Sequence, residues 1–166
     1  GFHSFLQKNR IPLESVMAKS WNKKIFKNID EKVNQASKDL AEERGACPDA
    51  AEYGYKERFS NKTAIAPTAS ISIICGGASP GVEPIAANSY THKTLSGSFN
   101  VRNRYLEEIL ESHGKNDDET WSTITTNQGS VSHLDFLTEL EKDVFKTAFE
   151  LNQNWIIELS GDRTPY

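Results

Sequence analysis

Two cysteines, Cys47 and Cys75, are all that 166 residues contain. That is too few for a disulfide framework and points to a reducing, cytoplasmic compartment. Long apolar runs are missing as well. No segment approaches the roughly 20 apolar residues that cross a bilayer, so no membrane partner is expected. The opening Gly1-Phe-His-Ser-Phe-Leu-Gln-Lys lacks the basic flank and small-residue cleavage site of a secretory signal. Excess positive charge is also lacking: 19 Lys and Arg stand against 23 Asp and Glu, a formal net charge of -4. This excludes a dedicated nucleic-acid binder. What the chain does have is core material, with three Trp, eight Phe and five Tyr. One domain spanning 1–166 is expected, able to bury roughly 70% of its unfolded surface. The helical start without a cap, and the close on Asp162-Arg-Thr-Pro-Tyr166 after an apolar run, suggest a segment of something larger.

The strongest periodic signal lies between Leu13 and Arg44. Val16, Met17, Trp21, Ile25, Phe26, Ile29, Val33, Ala36 and Leu40 recur at steps of three and four, which predicts a helix with that face buried. Glu14 and Ser15 suit its first turn, and Gly45 its end. Lys23, Lys24, Lys27, Glu31 and Lys38 occupy the other side and read as a solvated face rather than a basic patch. Residues 46–62 read as a loop, and 63–66 as a short β-compatible run. Ser70–Cys75 alternates Ser and Ile, which by pattern alone favours a strand. Extended structure is expected over Tyr90–Val101, around Ser96-Gly97-Ser98. Helices are expected over 102–113, from a cap at Asp117 or Asp118 through Ile124, around Leu134, Leu137 and Leu140, over 144–151, and over 155–159. The composition of elements is α/β and helix-rich.

Spacing argues against a metal site in this chain. No two of His3, His92, His113 and His133 share a helical face as H-x-x-x-H, no Glu-x-x-His occurs, and Cys47 and Cys75 form no C-x-x-C. Gly77-Ala-Ser79-Pro-Gly81 satisfies the G-x-S-x-G of a nucleophile elbow. There, however, the residue after the serine must donate its N–H to the oxyanion, and Pro80 has none. A glycine-rich turn is the plainer reading. Pro67-Thr-Ala-Ser-Ile-Ser72 is a better candidate. Three hydroxyls fall within five residues, Ala69 permits close approach, and Pro67 breaks the preceding run. If a helix starts here, its first free N–H groups suit an anion without needing a lysine. A simple Ser/Thr-rich cap is the competing reading.

At this segment a family becomes recognisable. Thr63-Ala-Ile-Ala-Pro-Thr-Ala-Ser-Ile-Ser72 followed by Gly77-Ala-Ser-Pro-Gly-Val-Glu-Pro84 resembles the large (α) subunit of class I ribonucleotide reductase, phage and bacterial members most closely. Gly1-Phe-His-Ser-Phe-Leu6, Ile11-Pro-Leu-Glu-Ser15, Leu40-Ala-Glu-Glu-Arg-Gly45, Lys93-Thr-Leu-Ser-Gly-Ser-Phe99, Lys142-Asp-Val-Phe-Lys-Thr-Ala148 and Ile156-Ile-Glu-Leu-Ser-Gly-Asp-Arg163 agree in family order. The resemblance implies a late portion of a ten-stranded α/β barrel. It implies that Thr68, Ala69, Ser70, Ile71 and Ser72 hold the diphosphate of a ribonucleoside diphosphate. It also turns the strand expected at Ser70–Cys75 into the start of a short helix.

The family's radical-loop Asn-x-Cys-x-Glu is absent, and Cys47 and Cys75 do not fall on catalytic positions, so both read as structural thiols. No catalytic residue and no cofactor is therefore expected in this chain. The complete enzyme would draw on a radical-generating metal subunit and a thiol reductant. Its partners would be the remaining large-subunit segments, the small radical subunit and, for the fragment, a second copy of itself. The alternative is a non-catalytic, self-associating or split-subunit module.

Overall fold

The computed structural model describes residues 1–95 and 97–166; Ser96, at the centre of the expected extended segment, lies outside the described residues. Eight helices and one antiparallel hairpin are present among the described residues: α1 (Phe2–Lys8), α2 (Val16–Arg44), α3 (Pro48–Glu52), α4 (Ala69–Ile74), β1 (Ser89–Thr94), β2 (Gly97–Arg102), α5 (Arg104–Ser112), α6 (Asp118–Thr126), α7 (Glu139–Val144) and α8 (Gln153–Arg163). They fall into two compact units, one of residues 1–18 and 66–157, the other of 19–65 and 158–166.

The first unit is organised around an apolar cluster. Leu106, Ile109 and Leu110 of α5 meet Trp121 and Ile124 of α6, together with Val131, Leu134, Leu137, Val144 and Phe145. The 3.6-residue period of α5 places Leu106, Ile109 and Leu110 on one side, as the sequence predicts. Asn103 caps α5 by accepting from the Tyr105 N–H, and Asp117 caps α6 by accepting from the Thr120 N–H at 2.7 Å. Thr138 and Glu141 form a reciprocal capping box at the start of α7. Strands β1 and β2 pair from Ser89↔Arg102 to Thr94↔Gly97.

The second unit is built on α2 from Lys19 onward. Asn22 Nδ2 donates to the Leu159 carbonyl at 2.9 Å, and Arg163 Nε donates to Asn22 Oδ1 at 2.5 Å. The Arg163 guanidinium also lies over the Phe26 ring, 4.8 Å from its centroid. Ser37 Oγ accepts from the backbone N–H groups of Arg58 and Phe59, fixing the return of the loop after α3.

Several expectations need correction. Helix α2 exists, with Ser15 Oγ accepting from the Ala18 N–H at its start and Gly45 in the left-handed region after its end. Its buried line is not the apolar one, however. Ala18, Asn22, Ser37 and Ala41 are buried, whereas Val16, Met17 and Ile29 are exposed. Hydrogen bonding at Asn22 and Ser37 makes their burial affordable, which hydrophobic periodicity cannot anticipate. The five lysine-face residues are all exposed. Residues 46–62 contain the short α3, and 63–66 form no strand. Leu134 and Leu137 sit in turns ahead of α7, and residues 145–151 are turns rather than a helix, although Val144, Phe145 and Leu151 are buried. Tertiary burial there replaces the helical period as the reason for the apolar spacing.

Candidate phosphate-binding site

After Pro67 the chain turns sharply: Thr68 has φ 48° and ψ 25°, left-handed for a β-branched residue. Helix α4 then runs from Ala69 to Ile74, so the strand suggested by Ser/Ile alternation over 70–75 is absent and the short helix is present. Its Ser-Ile alternation was misleading because no residue of α4 is buried. Period-two patterning therefore reports no sheet face here.

Each of the five candidate residues has a definable place. Thr68 is half-buried, and its Oγ1 accepts from the Gly81 N–H at 2.7 Å. Its carbonyl accepts the first helical bond, from the Ser72 N–H at 2.8 Å. The N–H groups of Ala69, Ser70 and Ile71 precede that bond and have no hydrogen-bond partner among the described residues. Ser72 Oγ donates to the Ala69 carbonyl at 2.6 Å. The Ser70 hydroxyl has no partner among the described residues. Five adjacent residues thus present three directional donors and one uncommitted hydroxyl.

Alongside lies a cavity of about 700 Å³. Pro67, Ala69, Ser72 and Ile73 form one wall, and Tyr90 and Val101 of the hairpin line it further. Ser70 and Ile71 do not line it. Glu83 and Arg102 are the charged residues of the lining. The size suits a small organic molecule.

Helix α1 braces this region through three buried polar side chains. His3 Nδ1 accepts from the Ile85 N–H at 3.0 Å, Ser4 exchanges two hydrogen bonds with Ser79, and Gln7 Oε1 accepts from Asn103 Nδ2 at 3.0 Å. Burial, and secondarily the neighbouring amino group, lowers the His3 pKa to about 4, so the ring is neutral near pH 7. None of these contacts was visible in the sequence, because each joins residues 75 or more positions apart. The local clue was the glycine-rich turn read at 77–81, where Gly81 takes a positive φ.

The nucleophile-elbow alternative does not survive. Ser79 is 1% exposed, and its Oγ is occupied in accepting from the Ser4 N–H at 3.1 Å. Both cysteines are free thiols, Cys75 exposed at the end of α4 and Cys47 half-buried. Among the described residues no three His, Cys, Asp or Glu side chains gather where they could hold a metal ion. No helix among them is long and apolar enough to cross a membrane.

The described residues thus form a helix-rich fragment with one hairpin and a hydroxyl-rich turn beside a ligand-sized cavity. Residues 49–166 match the family described as ribonucleotide reductase, barrel domain. The large subunit of ribonucleoside-diphosphate reductase from Invertebrate iridescent virus 6 is 47% identical over 100% of this chain, which corresponds to 18% of that protein. Its counterpart from Invertebrate iridescent virus 3 is 45% identical over 98% of the chain and 26% of its own length. The solved structure of the Actinobacillus ureae class Id ribonucleotide reductase alpha subunit superposes with a TM-score of 0.90 at 39% identity, over 100% of this chain and 30% of that one. The chain belongs to the ribonucleotide reductase large-subunit family and spans about a fifth to a quarter of the curated relatives it matches.

Proposed function

We propose that this chain supplies the diphosphate cradle of a ribonucleoside-diphosphate reductase, the enzyme that converts ribonucleotides to deoxyribonucleotides for DNA synthesis. The substrate is a ribonucleoside diphosphate, and the binding residues are Thr68, Ala69, Ser70, Ile71 and Ser72. The observation that carries this reading is the open set of amides at Ala69, Ser70 and Ile71, adjacent to a cavity of nucleotide-compatible size. Multiple negative charge is well matched by N–H groups fixed in direction, with the Ser70 hydroxyl adding an adjustable donor. Gripping the unreactive diphosphate sets the ribose in position, where small displacements are costly to rate.

Chemistry at the ribose belongs to polypeptide outside these 166 residues, in the cytoplasm. The remaining large-subunit segments, a small radical-generating metal subunit and a thiol reductant complete the enzyme. This chain's own part is binding and orientation, and the isolated chain is expected to produce no deoxyribonucleotide.

Ser70→Pro in the complete large subunit tests the cradle, because it deletes one N–H at a position in the first helical turn. Ser70→Ala keeps that N–H and removes only the hydroxyl. The proline variant should raise the KM for the nucleoside diphosphate by at least about tenfold, consistent with loss of a charge-assisted bond, and the alanine variant by less. Equal, wild-type KM values for both would overturn the assignment.

A second reading is favoured by one observation. Ile71, Ile73 and Ile74 of α4 are 59%, 50% and 84% exposed, and Phe99 of β2 is 55% exposed. Such faces favour self-association of the isolated chain. A mass by light scattering equal to one chain across the accessible concentration range would exclude it.

A further inference from the structure

The G-x-S-x-G segment, vacant as a nucleophile site, has another use in this fold. Thr68 holds a left-handed backbone conformation, which is costly for a β-branched residue and persists only where the surroundings enforce it. The enforcing contact comes from across the turn. The Gly81 N–H donates to Thr68 Oγ1 at 2.7 Å. That approach needs glycine: Gly81 has φ +46°, and a Cβ there would lie 3.2 Å from the Ala66 carbonyl oxygen and 3.3 Å from Glu83 Oε2. Gly81 is placed in turn by Ser79, two residues earlier. The Ser79 N–H donates to Ser4 Oγ at 2.8 Å, while the Ser4 N–H donates to Ser79 Oγ at 3.1 Å. Both serines are buried, at 1% and 6% exposure, so water does not compete for the pair.

We propose that Ser79 is a positioning residue for the substrate: the segment Ser79-Pro80-Gly81 is a strap, anchored on α1 through Ser4, that holds Thr68 and so sets the direction of the turn at 68–72. Because the Thr68 oxygen accepts from Gly81, its own proton is free to point away from the strap. Ser79 neither belongs to the 68–72 turn nor borders the cavity, although its neighbours Ala78 and Pro80 do, so its effect on the substrate is indirect. The inference rests on the reading of 68–72 as the diphosphate cradle.

The test uses the full-length large subunit assayed with its radical subunit, comparing Ser79→Ala, Ser4→Ala and Ser70→Pro. Each serine-to-alanine variant removes one hydroxyl of the reciprocal pair. The strap predicts that KM for the nucleoside diphosphate rises about 3- to 10-fold in each, with a smaller change in kcat. It also predicts that Gly81 amide hydrogen exchange is protected in the wild type and in Thr68→Ser but accelerated in Thr68→Val, a readout that needs no turnover. A raised KM for Ser70→Pro with unchanged KM for Ser79→Ala and Ser4→Ala would overturn the strap and leave the cradle intact. Unchanged KM in all three would overturn both. A fall in apparent kcat at unchanged KM in Ser79→Ala, matched by a reduced folded fraction, would mark Ser79 as a general folding residue and likewise overturn the strap.

Discussion

Asn88 and Asn103, the residues flanking the β1–β2 hairpin, are joined twice. The Asn103 N–H donates to the Asn88 carbonyl at 2.8 Å, and Asn103 Nδ2 donates to Asn88 Oδ1 at 2.8 Å. The Asn88 side-chain amide also donates to the carbonyls of Gly129 and Phe145, at 3.0 and 2.7 Å. One buried amide therefore closes the hairpin and ties it to the helical core.

Removing that amide should be costly. Asn88→Ala strands the buried Phe145 carbonyl and one donor of Asn103, while the Gly129 carbonyl keeps the backbone N–H of residue 88 at 3.1 Å, a loss of about 2–4 kcal/mol. Asn88→Asp keeps the acceptor for Asn103 but cannot donate, and should be similarly destabilised near neutral pH. Urea unfolding followed by tryptophan fluorescence measures this. A change in midpoint corresponding to less than about 0.5 kcal/mol for Asn88→Ala would show that the hub is dispensable.

Gly129 is the second half of that hub. Its φ is +81°, and a Cβ there would lie 2.3 Å from Ala87 Cβ and 2.6 Å from Ala87 Cα. Gly129→Ala combines left-handed strain with overpacking and should cost about 2–5 kcal/mol. Adding Ala87→Gly removes the nearest clash and should recover part of the loss, so a double-mutant cycle on unfolding free energies should show coupling. Strict additivity of the two substitutions would contradict the packing described.

His3 gives the chain a pH dependence with a defined sign. Burial holds its pKa at about 4 in the folded state, against an ordinary value of 6.5 when unfolded. Between those values the unfolded chain binds the extra proton. The contribution is therefore complete above pH 6.5, declines as pH falls towards 4, and is flat below, with a total of about 3 kcal/mol at most. Carboxylates act lower. Asp117, held down by the Thr120 N–H, stabilises above its ordinary pKa and is lost only in more acid solution. Unfolding midpoints measured from pH 7 to 4.5 should fall in the wild type and stay level in His3→Asn, whose Oδ1 can replace Nδ1 as the acceptor for Ile85. A slope of the same size in both would remove His3 as the cause.

How much of this was legible in the sequence depended on the range of the interaction. Helices α5 and α6 were readable because Leu106, Ile109, Leu110, Trp121 and Ile124 obey the helical period and their caps lie within three residues. Extended structure over 90–101 followed from its Thr, Tyr, Phe and Val content, whereas the pairing of β1 with β2 is a finding of the structure. The buried face of α2 was not readable, since Asn22 and Ser37 are buried by hydrogen bonds to distant residues. The turn at 68–72 was found by composition and by family resemblance. Its helical form was hidden because α4 is exposed and its Ser/Ile alternation answers to no face. The strap escaped altogether: Ser4 and Ser79 stand 75 positions apart, and neither is unusual in its local context.

The most direct test of the cradle is a crystal structure of the complete large subunit with a ribonucleoside diphosphate bound. Phosphoryl oxygens should lie within about 3 Å of the backbone nitrogens of Ala69, Ser70 and Ile71. A diphosphate held elsewhere, with those three amides facing solvent or other protein groups, would contradict the account.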